Sequence, residues 1–169
     1  MILNIFGGGG SGKTTLQFAL LRLIGFTNLV PYTTRTKRTS EQNGIHYHFV
    51  TKKEFEKKEL ILKRHINNVS YGVLHQDLLA TGMVVTTFDL VGISELENMG
   101  IDSKIIYLDI PESKRIYRML ERGDNYETVK HRVIIDRKQI QTPNTIFPIL
   151  TICGGSVEEI IHKVLNFVK

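Results

Sequence analysis

A glycine-rich stretch near the N-terminus has the residue types and spacing of a loop that binds phosphate groups. It reads Gly7-Gly-Gly-Gly-Ser-Gly-Lys-Thr14 and fits the pattern G-x-x-x-x-G-K-[ST]. Glycines allow successive backbone N–H groups to turn inward around an anion, and the N-terminus of a following helix adds partial positive charge. A strand-like segment, Met1–Phe6, precedes the stretch and a helix-like segment follows it, as the pattern requires. The stretch therefore predicts a site for a nucleoside triphosphate.

Two side chains of this stretch have separate predicted roles. Lys13 is expected to bridge the β- and γ-phosphates, and the Thr14 hydroxyl is expected to bind Mg²⁺. The stretch alone does not distinguish a kinase from a GTPase or an ATPase. The predicted nucleotide-binding residues are Gly7, Gly8, Gly9, Gly10, Ser11, Gly12, Lys13, Thr14 and Thr15.

A second cluster of phosphate-binding residue types follows in the segment 32–49. Arg35 and Arg38 are three residues apart, so their guanidinium groups can converge on one phosphate. The hydroxyl of Tyr47 can add a neutral donor. A solvated basic loop is the alternative interpretation of these residues.

The elements that must position these residues alternate between strand-like and helix-like patterns. The predicted strands are Met1–Phe6, Leu29–Val30, Ile45–Val50, Leu60–Ile66, Met83–Phe88, Lys104–Leu108 and Ile146–Cys153. The predicted helices are Lys13–Ile24, a short helix opened by the capping box Thr51…Glu54, Leu74–Ala80, Val91–Met99, Glu112–Glu121, Tyr126–Gln139, and Val157–Val168 opened by Ser156…Glu159. Such alternation predicts an α/β protein with a parallel sheet covered on both faces. The rhythm changes between residues 32 and 82, which indicates a small inserted subdomain.

Composition limits the possible classes of protein. The 169 residues are 41% hydrophobic and 23% charged, which fits one globular domain and excludes disordered and fibrous classes. No apolar run approaches the roughly 20 residues of a membrane span, so no membrane partner is expected. Cys153 is the only cysteine and the N-terminus lacks an export signal, so a cytoplasmic location is expected.

The net charge of +5 indicates an anionic partner. The arginines occur singly at spaced positions, which fits discrete phosphate contacts better than a nucleic-acid-tracking surface. A nucleic acid partner is therefore not expected, and the oligomeric state stays open.

The residues of both clusters resemble those of the guanylate kinase family. That family carries T-T-R-x-x-R-x-x-E-x-x-G-x-x-Y-x-F after a strand, and residues 33–49 contain every fixed letter. Tyr71-Gly72 is similar to the family's Y-G, and Asp89 with Gly92 is similar to its D-x-x-G. Arg118…Arg122-Gly123…Arg132 is similar to its lid, so the resemblance covers nearly the whole chain.

The resemblance implies a single domain of three parts and a transfer reaction. The parts are a P-loop three-layer αβα core (about residues 1–31 and 83–169), an inserted small α+β subdomain that binds a nucleoside monophosphate (about 32–82), and a short lid (about 122–132). The implied reaction uses ATP and Mg²⁺ and converts GMP or a related monophosphate to its diphosphate.

The resemblance also implies roles for individual residues. Arg35, Arg38, Tyr47 and Tyr71 are expected to hold the acceptor phosphate. Arg122 and Arg132 are expected to close over the transferring phosphoryl group, so the implied catalytic set is Lys13, Arg38, Arg122 and Arg132. Asp89 is expected to contact the acceptor's base; facing Mg²⁺ and capping the helix that follows are the alternatives.

The family's base-reading positions are where this chain departs from the pattern. Pro31 stands at a family serine, Leu62 at the guanine-reading glutamate, Val73 at a Thr or Ser, and Thr87 at an aspartate. One hypothesis is a different phosphorylated acceptor, such as another or modified nucleotide or a sugar phosphate. The alternative is a local misalignment, with the base read by His65, Asn67 or Asn68.

Two other functional classes compete with a monophosphate kinase. One is a non-catalytic module that binds a phosphorylated partner through Arg35, Arg38, Tyr47 and Tyr71. The intact phosphate loop argues against it, since a binding module has no need of Lys13 and Thr14. The other class is a kinase acting on nucleic-acid ends.

Overall fold

Nine strands form two separate sheets in the part of the chain that the structure describes. The structure is a computed structural model that describes residues 1–23, 25–39, 41–66, 68–79, 82–140 and 143–169. The strands are β1 (Ile2–Gly7), β2 (Phe26–Asn28), β3 (Tyr32–Thr33), β4 (His48–Phe49), β5 (Leu60–Ile66), β6 (Val69–Leu74), β7 (Met83–Thr86), β8 (Ser103–Leu108) and β9 (Ile149–Ile152). The helices are α1 (Lys13–Leu20), α2 (Lys52–Glu56), α3 (His75–Leu78), α4 (Leu90–Asn98), α5 (Glu112–Glu121), α6 (Tyr126–Gln139) and α7 (Val157–Val168).

The large sheet has the order β2-β7-β1-β8-β9, and each neighbouring pair is parallel. Its central strands are apolar on both faces because helices cover both. Leu3 and Ile5 of β1 pack in one cluster with Leu20 of α1 and Val164 of α7. Ile93 of α4 packs in another cluster with β1 and β8 residues. The predicted three-layer α/β architecture is therefore confirmed.

The small sheet has the order β4-β3-β6-β5. Its β3–β6 and β5–β6 pairs are antiparallel, and its β3–β4 pair is parallel. Val73 and Leu78 are buried and pack in one cluster with Ile2, Val84 and Leu96. This shared cluster joins the small sheet to the large one.

Most predicted elements are present, and the differences between the predicted and observed elements lie mainly in short strands. Leu29–Val30 is not a strand; the strand is Phe26–Asn28, and Leu29 is buried just after it. The predicted strand Ile45–Val50 shrinks to His48–Phe49, since a turn occupies residues 44–46. Strand β6 was not predicted.

Strand β3 was not predicted either, and the predicted strand Ile146–Cys153 shortens to Ile149–Ile152. The remaining elements begin within one residue of their predicted starts. Both capping boxes are present, at Thr51 and at Ser156. The predicted ends of two helices, Ile24 and Ala80, lie outside the described residues. No helix within the described ranges is both long and apolar enough to cross a membrane.

Candidate active site

The predicted phosphate loop joins β1 to α1 at the carboxyl edge of the large sheet. Gly10 and Gly12 have left-handed backbones, with φ of 76° and 99°. A Cβ on Gly10 would clash with the backbone carbonyl oxygen of Arg115, so a side chain does not fit there. Thr14 and Thr15 lie exposed in the first turn of α1. The loop therefore has the backbone shape that phosphate binding needs.

Lys13 lies folded over its own loop. Its Nζ donates hydrogen bonds to the carbonyl oxygens of Gly7, at 2.6 Å, and Gly8, at 2.9 Å. Desolvation by burial, and then the charge of Arg132, lower the pKa of Lys13 to about 7, against an opposing effect of Asp136. A lysine in this setting gains a counter-charge when an anion binds.

Arg115 of α5 and Asp136 of α6 are buried and hold the loop in place. Neither residue was among the predicted site residues. The backbone N–H of Gly9 donates to Asp136 Oδ2 at 2.8 Å. Nη1 of Arg115 donates to the same Oδ2 at 2.7 Å and to the carbonyl oxygen of Gly9 at 3.3 Å. Asp136 follows Arg132 by four residues, so both face the loop from one side of α6. The spacing of four residues between Arg132 and Asp136 is the sequence feature that could have identified Asp136.

Arg132 lies against the loop as well. A Cβ on Gly9 would lie 2.7 Å from Nε of Arg132. Arg122 caps α5 and forms an ion pair with Asp124. The charges of Arg122, Arg38 and Arg132 all contribute to lowering the pKa of Asp124, after the hydrogen bond from Arg122. The charges of the two predicted lid arginines and of Arg38 therefore act on the same carboxylate.

The predicted acceptor residues gather around Glu41, which is 8% exposed. Arg35 Nη2 donates to Glu41 Oε1 at 2.6 Å, and the backbone N–H of Arg38 donates to Oε2 at 2.7 Å. Burial alone would raise the pKa of Glu41, but these hydrogen bonds outweigh it and the pKa lies below its usual value. Glu41 thus stays ionised and holds the side chain of Arg35 and the backbone of Arg38.

The two predicted tyrosines complete this group. Their rings, Tyr47 and Tyr71, have centroids 6.1 Å apart, and Arg35 lies 5.3 Å from the centroid of Tyr47. Burial and then the neighbouring Tyr71 raise the pKa of Tyr47, so its hydroxyl remains a donor. Arg35, Tyr47 and Tyr71 can therefore all donate to one phosphate.

The charges beside the phosphate loop also act on the residues around Glu41. After partial desolvation and the charge of Arg35, the charges of Arg132 and Arg122 lower the pKa of Arg38. Arg132 and Arg122 also act on Lys13. We call Lys13, Arg38, Arg122 and Arg132 the cation cluster. The positive charges of the phosphate loop, of the segment that carries Arg38 and of α5–α6 therefore act on one another.

The positions at which the family reads guanine behave differently. Val73 is 1% exposed and Leu62 packs against the same apolar cluster, so both belong to the core. Asp89 caps α4 by accepting the N–H of Gly92 at 2.9 Å. Its Oδ1 lies 3.5 Å from Nε of Arg64, a cation that disfavours Mg²⁺ at the same place. Asn67 lies outside the described residues.

Comparisons with known proteins fit this geometry. The family model described as guanylate kinase matches residues 2–169. The guanylate kinase of Schizosaccharomyces pombe is 30% identical over 155 residues, covering 81% of this chain and 74% of that protein. That of Bartonella henselae is 32% identical over 145 residues, covering 78% of this chain and 64% of that protein.

A solved structure shows the same fold. The crystal structure of guanylate kinase from Anaplasma phagocytophilum has a TM-score of 0.65 at 19% identity, covering 99% of this chain and 84% of that one. The chain spans between about two thirds and three quarters of the two curated relatives. With a family model matched along almost its entire length, this chain belongs to the guanylate kinase family.

Proposed function

We propose that this protein transfers the terminal phosphoryl group of ATP to the phosphate of a nucleoside monophosphate, GMP or a related one. The observation that supports the proposal is the cation cluster, in which the charges of Arg122 and Arg132 act on both Lys13 and Arg38. Two relatives named guanylate kinase are 30% and 32% identical to this chain. Transfer between two phosphates needs positioning and positive charge rather than a general base, because the acceptor oxygen is already anionic.

The donor nucleotide would lie on the phosphate loop. Backbone N–H groups of Gly7–Gly12, other than those of Gly9 and Ser11 that donate to Asp136 and Gly8, would hold its phosphates together with the N-terminus of α1. Lys13 would contact the group in transfer. Release of Lys13 from its two carbonyl partners would accompany binding.

Mg²⁺ fits the residues that the structure describes. Thr14 offers one exposed hydroxyl beside Lys13, and no group of three or more His, Cys, Asp or Glu forms elsewhere in the described ranges. Mg²⁺ commonly keeps several waters and binds through phosphates plus one or two protein oxygens. Bound with ATP, it would neutralise phosphate charge.

The acceptor phosphate would lie among Arg35, Arg38, Tyr47 and Tyr71. Arg35 is held by Glu41, so its position is fixed before the acceptor arrives. Arg122 and Arg132 would approach the phosphoryl group from α5 and α6 and exclude water, which would otherwise compete as the nucleophile.

We also propose the three-part division. The large sheet with its helices corresponds to the core, about residues 1–31 and 83–169. The small sheet with α2 and α3 corresponds to the monophosphate-binding insertion, about 32–82. The turn after α5 and the start of α6 correspond to the lid, about 122–132.

ADP release with ATP and Mg²⁺ tests the proposal, using GMP, dGMP, AMP, CMP, UMP, dTMP and ribose phosphates as acceptors. We expect turnover with a nucleoside monophosphate, and a decrease of about 10²-fold or more in Lys13→Ala, because Lys13 stabilises transition-state charge. Lys163→Ala is the matched control, since Lys163 is an exposed lysine of α7. Normal turnover in Lys13→Ala, or ATP binding without transfer to any acceptor, would contradict the proposal.

A further inference from the structure

Arg64 of β5 makes contacts that neither the phosphate chemistry nor the core explains. Its Nη1 donates to Glu95 Oε1 of α4 at 2.8 Å. Its Nε lies 3.5 Å from Oδ1 of Asp89, which is too long for a normal hydrogen bond. Arg64 therefore joins the small sheet to the first turns of α4.

This ion pair leaves hydrogen-bonding atoms without partners. Nε and Nη2 of Arg64 and Oε2 of Glu95 are shielded from solvent and form no hydrogen bond with any described residue. They are three of the five such side-chain atoms in the described ranges. Buried polar atoms in proteins are usually paired, and each exception calls for an explanation. Here the unpaired atoms are donors and an acceptor on two contacting side chains.

The location of the pair is next to the proposed acceptor phosphate. Arg64 is the register partner of Tyr71 in the β5–β6 ladder, so the two side chains share a face of the small sheet. Asp89 and Glu95 are exposed on 42% and 34% of their side-chain surfaces. Leu62 and Val73 are packed in the core and supply no polar atoms. The pair is therefore placed where an acceptor's base would follow its phosphate.

We propose that Arg64 and Glu95 determine the base specificity of the acceptor site and select guanine. This inference rests on the proposed function. An arginine donates in bidentate fashion to O6 and N7 of guanine, and a carboxylate accepts from its N1–H and N2 amino groups. Adenine presents an amino group where guanine presents O6, so it would oppose the guanidinium of Arg64. The base would exchange the Arg64–Glu95 contact for contacts with both side chains.

The test compares acceptors that differ by one group. IMP lacks only the N2 amino group of GMP, and 7-deaza-GMP has a carbon in place of N7. We expect Glu95→Ala to decrease the GMP:IMP ratio of kcat/KM by roughly tenfold or more. We expect Arg64→Met to decrease the ratio of GMP to 7-deaza-GMP similarly. Lys63→Met, an exposed neighbour on β5, should leave both ratios unchanged.

These ratios do not depend on the fraction of folded enzyme, so a purely structural role would leave them at the wild-type value. Unchanged ratios in both variants would overturn the inference while the kinase activity stands. A wild-type preference for adenine or a pyrimidine would also overturn it. If no acceptor is phosphorylated, the same two ratios from calorimetric dissociation constants of the monophosphates decide the inference separately from the proposed function.

Discussion

Lys13 combines a low pKa with a proposed role that requires positive charge. In the folded chain its pKa is about 7, against 10.5 for an ordinary lysine, because of desolvation and then Arg132. Between these values the unfolded chain binds more protons than the folded one, so this group makes the free energy of unfolding increase with pH from about 7 to 10.5. Below about pH 7 the lysine is charged in both states, so the unfavourable free energy of burying its charge is fully present.

A bound nucleotide should reverse this shift. Phosphate oxygens beside Nζ favour the charged lysine, so we expect the protein to take up close to one proton when MgADP binds near pH 8.5, where the nucleotide itself is fully ionised. Calorimetry in buffers of different ionisation enthalpy measures this uptake. Lys13→Met should bind without it, and Lys163→Met should behave as wild type. Absence of uptake in the wild type would contradict the role given to Lys13.

Helices α5 and α6 fix the phosphate loop through one buried ion pair. Arg115 and Asp136 are 7% and 8% exposed, and each also contacts backbone of the loop at Gly9. A buried charge that loses its partner destabilises a protein far more than an exposed one does. The loop's position therefore depends on residues more than a hundred positions away.

We expect Asp136→Asn to lower the free energy of unfolding by about 3–5 kcal/mol, because Arg115 keeps its charge without a counter-charge. Urea denaturation measures this change. Asp102→Asn, at an exposed position, is the control and should change stability little. The double variant Arg115→Met/Asp136→Leu should recover much of the loss, since it removes both charges. A small effect of Asp136→Asn would show that the pair does not support the loop.

Elements with strong periodicity were predictable from the sequence, and those defined by pairing were not. The bounds of α5, α6 and α7 follow from helical spacing and caps, and all three agree with the structure. β6 lacks a strand pattern because Tyr71 faces the acceptor side while Gly72 and Val73 are buried. β3 and β4 have two residues each, which is too short for any periodicity.

The candidate site also contains a part that the sequence predicts and a part that only the structure shows. The phosphate loop is contiguous in sequence, so its residues could be identified directly. The Gly9–Asp136 contact spans 127 positions, and the Arg64–Glu95 contact spans 31. Such pairs depend on how helices pack against sheets, which the sequence pattern does not specify. The sequence has apolar residues at the expected base-reading positions, but only the structure shows that Leu62 and Val73 are part of the core.

The molecule as a whole carries excess positive charge, and the cation cluster concentrates part of it. The net charge is +5, and four cations from three parts of the chain repel one another around one space. Sites arranged for function often reduce stability in this way. An anion in that space should relieve the repulsion and stabilise the whole fold.

Arg132→Ala should change the stability of the free protein and its response to an anion in opposite directions. Arg132 is exposed, so its loss removes repulsion with little loss of packing, and we expect the Tm without ligand to increase by roughly 1–3 °C. Inorganic pyrophosphate should raise the wild-type Tm more than sodium chloride of equal ionic strength does, and this response should shrink in Arg132→Ala. Arg22→Ala, at an exposed position after α1, controls for general charge loss. A variant that melts below the wild type and keeps the full pyrophosphate response would show that Arg132 acts as a structural residue, because only a cation facing the phosphate space couples these two readouts.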